Sequence, residues 1–295
     1  MKKLIGFAAL LGIMLATGSM AWAQIVMPDL SPFATVTQKV GLNEVRIEYS
    51  RPSVRGRVIF GELVPYNEVW RAGANASTKI YFRETMTLQD THKVPPGIYA
   101  LYAIPGKEQW TIIISRDPWL WGAFGYKEDY DEVRFQVKPE NLKEQVETFT
   151  IEFANVGTSS AEIQLLWDYT KVKFRISTSL DEKVMSDIKI FTANPEARVA
   201  GEYYLSAKYY LDTNRDPKQA LEWIDKALSY APGSYWMTHT KAEIQARMGN
   251  YREAIETANL SIEQAKAKED ADYVRMNEIE IAKWKQVRKD RNSSN

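Results

Sequence analysis

The stretch "IYALYAIPGKEQWTIII", residues 98–114, decides the fold class of the first half of the chain. It consists of two apolar runs, 98–104 and 110–114, which are separated by the five residues 105–109. The joining residues begin with Pro-Gly, and a connection of this length commonly links two antiparallel strands. The stretch therefore predicts a β-hairpin.

Further short runs on both sides of this hairpin show the alternation of apolar and polar residues that is typical of half-buried strands. In residues 45–49, Val45, Ile47 and Tyr49 share one face and charged residues occupy the other. We predict an all-β domain over residues 24–178, either an antiparallel sandwich or a barrel, and the pattern does not separate the two. Other predicted strands are 78–82, 86–88, 133–137, 149–153, 161–167 and 171–176.

The second half of the chain has a different pattern, with apolar residues three and four positions apart, as in amphipathic helices. The segments 216–228 and 250–262 align at a shift of 34 residues. This period resembles the tetratricopeptide repeat, a pair of antiparallel helices. We therefore predict an α+β protein of two domains. Its helical repeat domain covers 179–295, with two repeats at about 201–234 and 235–268 and then a capping helix.

Residues 1–23 have the features of a cleaved export signal. The chain begins with a basic Met-Lys-Lys, continues with the apolar run 4–16, and reaches a small-x-small site at Ala21-Trp22-Ala23. The apolar run is shorter than the roughly 20 residues that a membrane-spanning helix needs. We predict cleavage after Ala23, no membrane insertion after processing, and a periplasmic location, with secretion from the cell as the alternative.

The composition argues against several classes of function. Basic and acidic residues number 38 each and form no long basic run, so we predict no nucleic-acid partner. The chain contains no cysteine and only two histidines, His92 and His239, which lie in different predicted domains. Sites built on thiolate or imidazole ligands and a Ser-His-Asp arrangement are therefore not predicted. We predict no metal and no cofactor.

The segment 51–77, "RPSVRGRVIFGELVPYNEVWRAGANAS", fits neither helix nor strand. A long irregular segment in a compact domain is usually functional or mobile, and apolar residues such as Val64 and Trp70 argue against mobility. We expect these residues to fold over the end of a sheet and Arg71 to be buried and paired with an acid of its own segment. The alternative is a cluster of arginines that holds an anionic ligand. The candidate residues are Arg51, Arg57, Glu68, Trp70, Arg71 and Asn75.

A second candidate is the loop 117–126, "DPWLWGAFGY", which contains Trp119, Trp121 and Tyr126. The favoured interpretation is that its aromatic residues close the end of the β domain as part of the core. The alternative is a sugar-binding surface. In that case carboxylates such as Glu68 are candidate acids of a carbohydrate-active enzyme.

Several uncommon strings of the first half occur in an order that resembles a known family. They are "RPS" at 51–53, "VPY" at 64–66, "VWR" at 69–71, "GAN" at 73–75 and "WGAFGY" at 121–126. Together they resemble the domain of unknown function 2911 family, exported proteins found mostly in Bacteroidetes, over roughly residues 30–178. This chain has Ala76 where the family often has Glu, which weakens any role for a carboxylate there. The resemblance implies export and a domain boundary, and it implies no reaction.

Tetratricopeptide-like repeats usually bind partner proteins, so that resemblance implies an interaction role. We predict an exported binding protein without catalysis. Its partner is expected to be another periplasmic or envelope protein, bound through the helical repeats and the segment 51–77. The alternative is a glycan-binding module or carbohydrate-active enzyme that uses Trp119, Trp121 and nearby carboxylates.

Overall fold

The computed structural model of the chain describes residues 27–194, 196 and 199–293, so the predicted signal peptide and its cleavage site lie outside the described residues. The chain divides into two compact units, one that ends at Leu180 and one that begins at Asp181. We call them the β unit and the helical unit. In the described part of the chain, ten strands are followed by six α-helices, which confirms the predicted α+β arrangement.

The β unit is built of strands joined by tight connections. The alternation in residues 45–49 is confirmed, because Val45, Ile47 and Tyr49 are all buried. The opening stretch forms the predicted hairpin, in which Tyr102 pairs with Ile113. In chain order the strands are β1 (Phe33–Val40), β2 (Asn43–Ser50), β3 (Ala74–Phe82), β4 (Met86–Leu88), β5 (His92–Val94), β6 (Gly97–Ile104), β7 (Trp110–Ser115), β8 (Asp131–Val137), β9 (Glu140–Ala154) and β10 (Ser160–Ser177).

These strands form two antiparallel sheets, one in the order β1-β2-β3-β6-β7-β8 and one in the order β5-β4-β10-β9. One apolar core receives side chains from both sheets. Ile47, Ile80 and Leu101 come from the larger sheet, and Ile163 and Phe174 come from the smaller sheet. Two sheets that share a core face to face make a sandwich. Of the two predicted alternatives the sandwich is therefore present, since neither sheet closes on itself.

One strand prediction is wrong. The sequence predicted separate strands at 161–167 and 171–176, but these residues belong to the single strand β10. Asp168 takes a φ of 54° and shifts the register against β9 on both of its sides, and pairing resumes at Thr170. A bulge of this kind bends a strand without ending it.

The helical unit contains two pairs of helices at the positions of the two predicted repeats. Ala220, Ala227, Ala254 and Ser261 are fully buried, as expected where two helices approach closely. The tetratricopeptide-like nature of the pairs stays a prediction. None of the helices in the described residues is both long enough and apolar enough to cross a membrane. In chain order the helices are α1 (Leu180–Thr192), α2 (Ala200–Asp212), α3 (Pro217–Tyr230), α4 (Tyr235–Arg247), α5 (Tyr251–Lys266) and α6 (Ala271–Ser293).

Candidate binding site in the β unit

The irregular segment 51–73 is fixed to the sandwich by backbone hydrogen bonds. The amide of Trp70 donates to the carbonyl of Ala103 over 2.7 Å, and the amide of Ala103 donates back over 2.8 Å. The amide of Val54 donates to the carbonyl of Glu147 over 2.7 Å. Each such bond gives a hydrogen-bond partner to a backbone group that burial would otherwise leave unpaired. The expected cover over the sheet is therefore present.

Trp70 anchors the segment in a cluster of aromatic rings and is only 7% exposed. Its ring stacks on Trp167, with 5.8 Å between the centroids and 18° between the planes. It meets Phe149 edge to face at 5.1 Å and Phe60 at 5.9 Å. Large aromatic side chains in such arrangements bury much apolar surface and add a favourable ring–ring contribution. Trp70 is therefore a core residue that sets the position of the residues next to it.

A cavity of about 280 Å³ lies between this segment and the aromatic cluster. Arg55, Arg57 and Arg71 contribute to its lining, together with Trp70 and Trp167. The residues that line it in the described part of the chain include no aspartate and no glutamate. We call this cavity the arginine pocket.

The three guanidinium groups of the arginine pocket donate to backbone carbonyls. Arg71 Nη1 donates to the carbonyl of Asn75 over 2.8 Å, and Arg55 Nη2 donates to that of Leu30 over 3.0 Å. Arg57 Nε and Nη2 donate to the carbonyls of Val54 and Ser53, over 3.0 and 2.6 Å. Among the described residues, none of the three forms an ion pair with a carboxylate. These bonds orient the guanidinium groups. The Glu147 carboxylate accepts from the backbone amide of Arg55 over 2.9 Å, but within the described residues it forms no ion pair with any of the three guanidinium groups.

Trp167 supplies a further unsatisfied group. This residue is 2% exposed, and its indole Nε1 is buried with no hydrogen-bond partner in the described part of the chain. A buried donor without a partner is rare and costly in a folded protein. Sequence reasoning missed Trp167 as a site residue because it lies about a hundred positions from the arginines, at the end of an ordinary strand pattern.

The expectation that Arg71 pairs with an acid of its own segment is wrong. Glu68, the nearest acid in the sequence, is exposed. Arg71 is half-buried, and its guanidinium group donates to the carbonyl of Asn75. The reason lies in the backbone, because Ala72 and Asn75 take left-handed conformations with φ of 47° and 58°. These conformations turn the chain back towards Arg71 within four residues.

Two other predicted site residues tie the segment to its neighbours and do not line the arginine pocket. Arg51 donates from Nε to the carbonyl of Phe149 over 3.0 Å and from Nη2 to Thr150 Oγ1 over 2.7 Å. Asn75 donates from Nδ2 to Ser50 Oγ over 3.3 Å. Of the candidates in the segment 51–77, the structure therefore brings Arg57, Trp70 and Arg71 together at the pocket.

The favoured interpretation of the aromatic loop 117–126 is wrong for most of its rings. Trp119 is 72% exposed, Trp121 is 71% exposed and Phe124 is 91% exposed, so these residues do not close the core. The smaller Leu120 and Ala123 pack inwards instead, and they hold the loop on the sheet.

The loop contacts the segment 51–77 at several points. Trp121 forms an isolated bridge with Ala76. Gly122 lies against Arg71 so closely that a Cβ atom on this glycine would be 2.9 Å from Arg71 Nη1. The glycine therefore allows the loop to pack directly beside the guanidinium group.

Tyr126, at the end of the loop, is engaged in a polar cluster. Its hydroxyl donates to the carboxylate of Asp131 at 2.7 Å and accepts from Arg134 Nη2 at 2.7 Å. Burial, followed by the hydrogen bond to Asp131, raises the pKa of Tyr126 to about 12. The residue therefore stays protonated at physiological pH and holds the loop in place.

The helical unit has a larger groove, of about 590 Å³, lined by residues of α2, α4, α5 and α6. Its charged groups have both signs, and Lys283 pairs with Glu280 at 2.6 Å. Glu243 also lines this groove, 3.8 Å from His239 Nε2. Burial raises the pKa of the Glu243 carboxyl, and the nearby His239 and Lys208 oppose that rise.

We expect the replacement Glu243→Gln to stabilise the helical unit in a pH-dependent way. The raised pKa means that folding favours the protonated carboxyl, so its contribution is present below the pKa of the unfolded chain and is lost as the pH rises through the folded value. Thermal unfolding should give a higher midpoint for the variant near pH 8 and nearly the same midpoint near pH 4. Glu263→Gln, on an exposed position of α5, is the control. An equal change at both pH values would contradict the prediction.

In the described residues, no three His, Asp or Glu side chains lie together in a group that would hold a metal ion. The fold and the site define a β-sandwich protein with a positively charged pocket. Residues 31–176 match a family model described as "Protein of unknown function (DUF2911)", and this match supports the resemblance found in the sequence motifs. The matched range contains all three arginines of the arginine pocket and the whole aromatic loop. No curated protein matches the chain.

Proposed function

We propose that this chain is an exported, non-enzymatic binding protein that takes an anionic ligand into the arginine pocket. One observation supports this function most strongly: Arg55, Arg57 and Arg71 line a single cavity, and among the described residues none of their guanidinium groups forms an ion pair. A guanidinium group presents planar donors that match carboxylate, sulfate and phosphate oxygens.

The arginine side chains of the pocket are also preorganised for binding an anion. Bonds to backbone carbonyls already hold the three side chains, so fewer rotamers are lost when a ligand binds. Arg71 is half-buried, so its charge is screened less than the charges of the exposed Arg55 and Arg57. Both features support anion binding in addition to the structural tie that the bonds to backbone carbonyls make.

A second candidate function is the binding of a periplasmic or envelope protein by the helical unit. The groove of about 590 Å³ across four helices supports this candidate. Export itself rests on the basic start, the short apolar run and the Ala21-Trp22-Ala23 site of the sequence.

We expect sulfate to raise the thermal midpoint of the β unit. A ligand that binds only the folded state, at a concentration about a hundred times its Kd, adds about 2.7 kcal/mol to the free energy of unfolding. For a protein of this size the thermal midpoint then rises by about 5 °C or more. The measurement is a melting curve in rising sodium sulfate, compared with sodium chloride at equal ionic strength. Arg57→Gln and Arg71→Gln should each remove most of the sulfate effect.

The control is Arg83→Gln, which removes an exposed arginine that pairs with Glu44 at 2.9 Å and lies outside the pocket. It should keep the full sulfate effect. Because the readout is the shift caused by sulfate, a loss of basal stability in a variant does not imitate the result. The same shift in sulfate and chloride for the native chain would contradict the proposed function.

A further inference from the structure

A second cavity, of about 180 Å³, adjoins the arginine pocket. The two cavities share the residues Leu63, Val64, Trp70 and Arg71. The second cavity continues past Arg71 to Glu68 and to Ala123 of the aromatic loop. Arg71 therefore lines both cavities, and the second cavity reaches the loop that carries the exposed rings.

The two compartments differ in charge. The arginine pocket has three guanidinium groups and no acid in its described lining. Glu68 lines the second cavity; this residue is exposed and forms no ion pair within the described chain. An anionic group is therefore favoured in the first compartment and repelled from Glu68 in the second. A neutral group with hydroxyls suits the second compartment, because Glu68 can accept hydrogen bonds from them.

The aromatic loop, whose Ala123 lines this second compartment, also carries three exposed rings. Trp119, Trp121 and Phe124 make no ring–ring contact within the described residues, although Lys79 Nζ lies 5.7 Å from the ring centroid of Trp119. The faces of aromatic rings carry negative charge density and attract weakly positive C–H groups. The C–H face of a pyranose ring has this character.

We infer that the ligand is an acidic oligosaccharide in which charged and uncharged sugars alternate. This inference rests on the proposed function and specifies its ligand. The carboxylate of an acidic sugar binds the guanidinium groups of Arg57 and Arg71. The neighbouring neutral sugar occupies the second cavity, where Glu68 accepts from its hydroxyls. The chain of sugars then continues onto Trp121 and the other exposed rings.

The test uses a hexasaccharide of hyaluronan, which alternates glucuronate with N-acetylglucosamine, and isothermal titration with the full mature chain. We expect measurable binding of this probe and at least tenfold weaker binding of the neutral hexamer of N-acetylglucosamine. Trp121→Ala should weaken binding of the acidic probe about tenfold and leave the sulfate effect on the melting temperature unchanged. Arg71→Gln should abolish binding of the acidic probe and remove most of the sulfate effect. Tyr169→Ala, another exposed aromatic residue of the β unit, is the control and should bind like the native chain.

The outcomes separate this inference from the function on which it rests. Stabilisation by sulfate without binding of the hexasaccharide would overturn the inference and leave the proposed function standing. Binding of poly-L-glutamate that Trp121→Ala does not weaken would identify an acidic peptide as the ligand, which also overturns the inference. No response to sulfate and no binding of the hexasaccharide would overturn both.

Discussion

Replacing Trp70 with alanine is expected to lower the free energy of unfolding of the β unit by about 3–5 kcal/mol, the usual cost of removing a large aromatic side chain from a core. Trp70 is 7% exposed and contacts Trp167, Phe149 and Phe60 through its ring. The variant leaves a cavity among rigid rings that collapse poorly into the space. Urea denaturation followed by circular dichroism measures the loss.

Trp119→Ala is the matched control for this prediction, because it removes the same side chain from a position that is 72% exposed. A surface substitution of this kind should change the free energy of unfolding by no more than about 0.5 kcal/mol. Equal losses for the two variants would show that Trp70 does not anchor the segment, and the pocket next to it would lose its structural basis.

Gly73→Ala has the second largest expected effect. Gly73 takes a φ of 154°, and a Cβ atom there would lie 2.9 Å from the carbonyl oxygen of Ser50. The backbone strain alone costs about 1–3 kcal/mol, and the collision with a backbone oxygen adds to it. The carbonyl of Gly73 also accepts the indole N–H of Trp70 over 3.1 Å, so a displaced residue 73 loosens that anchor. The same denaturation experiment measures the loss.

Gly56→Ala is the control, a substitution of a glycine with positive φ that causes no collision. Gly56 also has a positive φ, of 69°, but an added Cβ would meet no atom within 4 Å. We expect this control to destabilise the β unit clearly less than Gly73→Ala. Equal losses in the free energy of unfolding for the two substitutions would mean that the backbone around residue 73 relaxes the collision without an energetic penalty.

Local pattern was sufficient to predict the fold class. The alternation at 45–49, the Pro-Gly connection at 105–109 and the helical spacing after residue 179 are each set by a few neighbouring residues. The same local reasoning failed at Asp168, since turn-forming residues at a bulge look like turn-forming residues in a loop. What decides between them is pairing with β9, which sequence neighbours do not reveal.

The candidate site was predictable in part. The irregular pattern and the arginines of the segment 51–77 indicated a candidate site, and Arg57, Trp70 and Arg71 do line one cavity. The partner of Arg71 and the exposure of Trp119 and Trp121 were predicted wrongly. Both depend on left-handed backbone conformations and on the packing of small residues such as Gly122, which are decided by distant contacts.

The central claim is that the arginine pocket binds an anion, and a crystal structure of the mature chain with selenate tests it most directly. Selenate has the shape and charge of sulfate, and its selenium atom is located unambiguously by anomalous scattering. The expected result is a selenium peak in the arginine pocket, with selenate oxygens about 2.7–3.2 Å from nitrogen atoms of Arg57 and Arg71. Selenium peaks elsewhere on the protein and an empty arginine pocket, at a selenate concentration that raises the melting temperature, would contradict it.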